Sequence, residues 1–316
     1  MLSAAHRYFL EVVRGGSIKD AAAALHVAPS AISRQIAKLE HDCGAALFER
    51  RPHGMVLTRA GELLADYARR AAMDSEHVLR DIRSLRHAEL TTIRIGSNEA
   101  VARNVLPRIL GAYRDRHPEV AFQVHIASPG VVTQRLRDGA IDVGLAFSLN
   151  PGSGIDVRYD IVSPVRAIMV PGHPLAARGS VSLDDLRPYP IALTDSGTTV
   201  RLLFDNSAAR GDGPPFDVAY SSNSSSVIRA IVEAGHAITL AGEITLAQPL
   251  ASGALVAVAL QQPGFAERTL QIQTASHATL PDATERFVRH LIQALSAGVA
   301  ATPSRLFSES ESIQEN

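Results

Sequence analysis

Cysteine is almost missing from these 316 residues. The one thiol, Cys43, has no partner within the chain, so an internal disulfide framework is excluded and a reducing compartment is expected. Cys43 itself reads as a small buried apolar residue, with a redox switch the competing role. Also missing is any run of the roughly 18 apolar residues that a membrane helix needs. The longest apolar stretches, such as Ala254 to Leu260, are strand-sized. The chain start lacks a basic–apolar–small signal pattern, because His6, Arg7 and Glu11 interrupt it. A soluble cytoplasmic protein without a membrane partner is expected. Catalytic and metal motifs are missing too. There is no H-E-x-x-H and no cysteine pair, and neither a G-x-S-x-G elbow nor a G-x-x-x-x-G-K phosphate loop occurs. No metal, no cofactor and no enzymatic activity are expected. Among the 12 histidines, His125 and His236 read as structural residues rather than ligands.

What is there is ordinary globular chemistry. Hydrophobic residues make up 46% and charged residues 20%, enough apolar surface to offset the ordering entropy of a folded chain. The length suggests roughly two domains. The net charge of −1 argues for no polyanionic partner, but its distribution is uneven. Residues 1–60 hold eight cations (Arg7, Arg14, Lys19, Arg34, Lys38, Arg50, Arg51, Arg59) against five acids, a net +3, and contain both lysines of the chain. A solvated surface explains that asymmetry as well as a nucleic acid does, so a motif is needed to sharpen it.

The first 60 residues read as short helices. Leu2, Phe9, Leu10, Val12 and Val13 recur at helical spacing, and Gly15-Gly16 ends the run. Ser17-Ile18-Lys19-Asp20 has the form of a capping box, with Ser17 capping backbone N–H groups and Asp20 reaching back. The alanine-rich stretch to Leu25 is a strong helix former. After the break His26-Val27-Ala28, Pro29 suits a first helical position. Ile32, Ile36 and Leu39 then mark an apolar stripe that leaves Ser30, Ser33, Arg34 and Lys38 off it. Two short helices joined by a tight turn, the second polar on its outer face, form a helix-turn-helix. Leu47-Phe48 and Val56-Leu57 flank the basic turn Arg50-Arg51-Pro52-His53-Gly54, as a β-wing would.

A helix is expected from Thr58 to about Ala88, with Leu64, Ala71, Val78 and Leu85 spaced by seven. That repeat suits a coiled-coil pair, although packing on its own domain is the competing explanation. From Thr91 short strand-like and helix-like runs alternate, implying a doubly wound sheet with helices on both faces. The strand-like runs are 93–96, 121–127 and 143–147, then 167–170, 191–194, 217–220, 238–241, 255–260 and 270–274. Helices are expected at 105–116, 131–138, 199–207, 227–233 and 283–297. Two lobes joined by two chain crossings would enclose a cleft. The expected division is 1–58 for the winged helix-turn-helix, 59–89 for a linker helix, 90–300 for a two-lobed α/β domain and 301–316 for a disordered tail.

The run Leu25-His26-Val27-Ala28-Pro29-Ser30-Ala31-Ile32-Ser33-Arg34-Gln35-Ile36-Ala37-Lys38-Leu39-Glu40 is followed by Gly44, Leu47-Phe48-Glu49-Arg50 and Leu57-Thr58-Arg59-Ala60-Gly61. Together they resemble the N-terminal domain of LysR-type transcriptional regulators. The resemblance continues more loosely to about Ala297 through Pro107-Arg108-Ile109-Leu110, Pro118-Glu119-Val120, Gly139-Ala140-Ile141-Asp142-Val143-Gly144 and Val232-Glu233-Ala234-Gly235-His236-Ala237-Ile238. Ala28 stands where the family often has a capping Ser or Thr, a loss of about 1 kcal/mol. Pro29-Ser30 stands where Gln-Pro is frequent.

The resemblance implies a DNA-binding regulator whose effector domain is like periplasmic binding proteins. A recognition helix presents its N-terminal residues to base edges. Pro29, Ser30, Ser33 and Arg34 are the candidates here, with Arg34 suited to a bidentate contact with guanine. Lys38 is a phosphate candidate, Arg50, Arg51 and His53 on the wing would reach backbone or minor groove, and Ser17 and Lys19 are weaker phosphate candidates. Strand-to-helix turns suit a small anion or polar metabolite at a lobe interface. Ser97, Asn98, Ser128, Phe147, Thr194, Ser196 and Asn223 are the effector candidates, with Ser97, Ser128 and Ser196 foremost. Helix capping is the competing role for such residues. A carboxylate effector is preferred, although Glu99 and Asp195 would oppose an anion. The expected partners are double-stranded promoter DNA, a second chain through the linker helix, a dimer of dimers, and RNA polymerase. The rival classes are a transporter's solute-binding protein and a cytoplasmic enzyme. The N-terminal helices argue against the first and the missing catalytic constellation against the second.

Overall fold

The computed structural model describes residues 3–51, 54–86, 90–149, 152–211, 213–276 and 280–300. The chain divides into two compact units. One comprises Met1–Leu90 with Gln134–Ala140 and Ala275–Thr279, and the other comprises the remainder. The expected tail, 301–316, lies outside the described residues.

The first ninety residues form α1 (Ala4–Gly15), α2 (Ile18–Leu25), α3 (Pro29–Cys43), the antiparallel hairpin β1 (Phe48–Arg51) and β2 (Gly54–Leu57), and the long α4 (Arg59–Arg86). Local chemistry sets these boundaries. Ser3 caps α1 and Gly16 ends it in the left-handed region at φ 68°. Ser17 Oγ accepts the Asp20 N–H at 3.0 Å. The Asp20 carboxylate accepts a hydrogen bond from Ser17 Oγ at 2.7 Å, a variation on the expected reach back to the backbone. Pro29 opens α3, and Ala28 offers no side-chain cap.

Phe9, Val12, Ala21, Ile32, Ile36, Leu39 and Leu47 are buried together. The aligned apolar stripes of three short helices thus become one core. The wing is anchored by backbone. Met55 N–H donates to Gly16 O at 2.8 Å, and Leu47 N–H donates to Glu40 Oε1 of α3 at 2.9 Å. Gly61 passes so close to the wing that a Cβ there would lie 2.0 Å from Leu47 O. Thr58 opens α4, its Oγ1 accepting the Gly61 N–H. Cys43, expected inside, is exposed at the last residue of α3, where the helix ends at Gly44.

The second part of the chain runs through β3 (Thr91–Ser97), α5 (Glu99–Asn104), α6 (Leu106–Arg114), β4 (Val120–Ile126), α7 (Pro129–Arg137), β5 (Val143–Ser148) and β6 (Ile155–Val162). It crosses to β7 (Val165–Met169), β8 (Ser180–Val181), β9 (Ile191–Thr194), α8 (Thr199–Ala208), β10 (Tyr220–Ser222), α9 (Ser225–Glu233), β11 (Ile238–Gly242), α10 (Ala247–Ala251) and β12 (Val256–Leu260). It then returns as β13 (Thr269–Ala275) and α11 (Asp282–Ala300). The first lobe holds the sheet β4-β3-β5-β13-β6 and the second the sheet β10-β9-β11-β7-β12-β8.

Both sheets are mixed rather than wholly parallel. β3 runs parallel to β4 and β5, but β13 is antiparallel to β5. In the second lobe β7 is antiparallel to both β11 and β12. A strand arriving from the other lobe enters its sheet without a βαβ crossover, so nothing enforces parallel direction. The helix expected at 105–116 is preceded by a separate short one, α5, and the two meet at Val105, just before Pro107 of α6. β6 escaped the sequence because Asp156, Arg158 and Asp160 interrupt its apolar residues, as suits a strand at the edge of the sheet. The strand expected at 217–220 lies at Tyr220–Ser222 instead.

Candidate nucleic-acid interface and effector cleft

On α3, Ser30, Ser33, Arg34, Ala37 and Lys38 follow one another at the three- and four-residue steps of a single helix face. The opposite stripe, Ile32, Ile36 and Leu39, is no more than 6% exposed. Ser30, Arg34 and Lys38 are exposed and Ser33 is half-buried. Among the described residues neither Arg34 nor Lys38 is held in an ion pair. Their cationic groups therefore remain available to an external anion. Pro29 is exposed at the first position of the helix. Lys19 is exposed at the start of α2, where Ser17 spends its hydroxyl on the helix cap. On the wing, Arg51 is exposed and pairs with Glu49 at 3.0 Å, a solvated pair of small energetic consequence. Arg50 sits opposite Met55 in the hairpin. Its side chain, and the whole of His53, lie outside the described residues.

A cavity of about 380 Å³ lies between the two α/β lobes, a volume suited to a small molecule. Asn98, Ser128, Phe147, Thr194, Ser196 and Asn223 line it, six of the seven candidates. Ser97 is the correction. It is completely buried, and its Oγ donates to Leu145 O on the neighbouring strand at 2.9 Å, so it ties β3 to β5 below the cavity. Its place at the end of a strand looked like a turn, but the strand runs one residue further than the turn chemistry implied. Asn98 caps α5 through an accepted Val101 N–H at 2.9 Å, and Thr194 Oγ1 shares a hydrogen bond with Thr198 Oγ1 at 2.8 Å.

Glu99 does not stand free to repel an anion. Its Oε2 accepts the Ser225 N–H at 2.6 Å and Ser225 Oγ at 3.1 Å. Oε1 accepts Ser226 Oγ at 2.7 Å and Ser224 Oγ at 3.1 Å. Burial alone would raise its pKa, but these four hydrogen bonds outweigh burial and hold the carboxyl below its ordinary value. A carboxylate of the first lobe thus occupies the N-terminus of α9 in the second, where a helix offers unpaired N–H groups. Arg103 joins this contact through a hydrogen bond from Nη1 to Ser226 Oγ. The sequence marked Asn223 at a strand-to-helix turn, but not the carboxylate that meets the following serines from the other lobe.

Arg268 also lines the cavity, and no local sequence signal singled it out. It is 2% exposed. Its Nε donates to Ser163 O at 3.2 Å, Nη2 is 3.4 Å from Ser163 Oγ, and the guanidinium carbon lies 3.9 Å from the centre of the Phe147 ring. Burial lowers its pKa to about 9, which leaves it charged at neutral pH. Among the described residues no group of three His, Cys, Asp or Glu is placed to hold a metal ion, and His236 is exposed. Within the same limits, no helix is long and apolar enough to cross a membrane.

Two family models match this chain. Residues 4–62 match the bacterial regulatory helix-turn-helix of the lysR family, and residues 86–296 match the LysR substrate binding domain. The second match alone spans most of the chain. The chain belongs to the LysR family of transcriptional regulators. As a member of that family, this regulator binds DNA through its helix-turn-helix and has a separate domain for a small-molecule effector. It is not an enzyme. It is 27% identical over 291 residues to a probable RuBisCO transcriptional regulator of Porphyra purpurea, covering 90% of this chain and 92% of that one. Its fold is similar to that of ArgP from Mycobacterium tuberculosis, with a TM-score of 0.59, 20% identity, and coverage of 94% and 98%. HinK from Pseudomonas aeruginosa, a LysR family transcriptional regulator, is similar at a TM-score of 0.53, 24% identity, and coverage of 92% and 97%. The periplasmic-binding-protein-like reading fits the substrate domain.

Proposed function

We propose that the regulator reads double-stranded promoter DNA with the exposed face of α3 and responds to a small molecule bound between its α/β lobes. The observation that carries this reading is the pair of unpaired cations, Arg34 and Lys38, on the face opposite the buried stripe. Arg34 with Ser30 and Ser33 meets base edges, Lys38 meets phosphate, and Lys19, Arg50, Arg51 and His53 contribute to the flanking backbone. Asn98, Ser128, Phe147, Thr194, Ser196 and Asn223 supply the effector's surroundings. The effector is a small polar metabolite, with a carboxylate the preferred class.

Two chains pair through α4. Its Ala65 is buried within the N-terminal core and Ala68 is buried too, while Leu63, Tyr67 and Val78 are each more than half exposed. An exposed apolar row on a long helix is better covered by a second copy than left in water. The pair places two recognition helices about 34 Å apart on successive major grooves. Two such dimers join, and effector binding shifts the population of their arrangements, altering promoter bending and access of RNA polymerase. The protein works in the cytoplasm, where its promoter lies.

The experiment is a footprint of the full chain on DNA flanking its own coding region, with and without a panel of candidate metabolites. A protected, roughly palindromic site whose boundaries change with one metabolite is the expected result. Absence of any protected site would overturn the DNA reading, and a footprint indifferent to every metabolite would overturn effector control.

A further inference from the structure

Among the described residues that line the cleft, one charged side chain is buried without a counter-charge. Arg268 is buried and protonated at neutral pH, yet among the described residues no carboxylate pairs with it. Its partners are the carbonyl and hydroxyl of Ser163 and the face of Phe147. These are dipoles and a quadrupole. They soften the desolvation of a cation without cancelling its charge. The guanidinium is held in place by the fold. Ser163 N–H donates to Arg268 O at 2.8 Å, so the two chain segments that cross between the lobes are tied together at this residue. Gly242 leaves the space it fills, since a Cβ there would lie 2.2 Å from Nη2 and 2.7 Å from Ser163 Oγ.

The other obvious seat for an anion is already taken, because the Glu99 carboxylate fills the N-terminus of α9. The remaining lining cations are not buried. Arg229 pairs with Glu233 at 2.8 Å, and Arg103 donates to Ser226.

We infer that the effector of this regulator is an anion whose charged group is bound by Arg268 at the crossing of the two lobes. This deepens the reading of the cleft as the effector site and rests on it. A carboxylate and a phosphate or sulfate share the chemistry, since a guanidinium can donate to two oxygens of either. The ligand completes an ion pair in a desolvated place, where a charge partner is worth most. Because Arg268 belongs to the crossing segment, binding there acts on both lobes at once.

The test measures thermal stability and calorimetric binding of the full chain without DNA. The probes are succinate, glycerol 3-phosphate and sulfate, each at about 10 mM, with succinamide and glycerol as neutral counterparts. At least one anion is expected to raise Tm while its neutral counterpart does not, and the succinate and phosphate arms separate the two sources of charge. Arg268→Met is expected to weaken that anion's binding about 30-fold or more, and Arg268→Lys to retain part of it. Gly242→Ala keeps the arginine in the sequence and crowds its Nη2, so it is expected to weaken the same binding even if Arg268→Met folds poorly.

Neutral counterparts that stabilise as well as the anions would overturn the assignment. So would an anion effect that persists in both Arg268→Met and Gly242→Ala, or no effect of any of the anions. An anion that binds through Arg268 but leaves the promoter footprint unchanged would uphold an anion site at Arg268 and overturn its identity as the effector. A neutral metabolite that changes the footprint would overturn this assignment and leave effector control standing.

Discussion

The Glu99 carboxylate at the start of α5 accepts the Ser225 N–H at the start of α9, 126 residues further along the chain, at 2.6 Å. One side chain of the first lobe thereby caps a helix of the second. Its folded pKa is depressed by hydrogen bonds that outweigh burial. Such a group contributes stability above its unfolded pKa, and that contribution is lost as pH falls through the folded one. Glu99→Gln is therefore expected to lower Tm at pH 7, and the gap to the unsubstituted protein is expected to close in acid, below the ordinary carboxylate range. Thermal melts across pH 3 to 7 check this. A gap that stays constant with pH would mean that the carboxylate charge plays no part.

Arg34→Ala is expected to cost about 1–3 kcal/mol in promoter affinity and to relax preference at one base pair. Lys38→Ala is expected to weaken binding evenly across sequences and to reduce the salt slope by about one. Binding isotherms at several salt concentrations, with each base pair of the site varied, distinguish the two. Unchanged affinity in Arg34→Ala would remove that residue from base readout.

The recognition helix begins without a side-chain cap at Ala28. Ser at that position offers a second acceptor to the Ala31 N–H, which here donates to Ala28 O at 2.9 Å. Ala28→Ser is expected to stabilise the regulator by about 0.5–1 kcal/mol. Urea unfolding followed by circular dichroism measures it, and a lower midpoint would show that position 28 needs alanine for packing.

Val78 is 56% exposed and Tyr67 54% on α4. If a second copy covers them, Val78→Asp is expected to shift the protein toward smaller assemblies in sedimentation velocity and to weaken binding to a full palindrome more than to a half-site. An unchanged sedimentation coefficient would place the dimer contact elsewhere.

Much of the first ninety residues was legible because their determinants are local. Ser17, the turn at His26 and Pro29 act within a few residues of themselves, and the stripe Ile32, Ile36, Leu39 needs only the helical repeat to be read. The wing was legible from its basic turn between apolar anchors. The effector cleft was legible as a set of turns but not as an arrangement. Ser97 and its neighbour Asn98 both read as polar residues of one strand-to-helix turn, yet one is buried at the end of β3 and the other lines the cavity. β strands alternate sides with each residue, so a boundary displaced by one residue exchanges inside for outside.

The amino-acid sequence by itself determined the helix-turn-helix, the charge on the outer face of α3 and the two-lobed α/β plan, because capping, periodicity and turn chemistry act over short spans. Only the tertiary structure decided that Glu99 would meet Ser224–Ser226, that Ser163 would meet Arg268, and that Arg268 would be buried facing an aromatic ring with no acid beside it. Those encounters join positions more than a hundred residues apart. They depend on where the two chain crossings bring the lobes together, which no local pattern encodes.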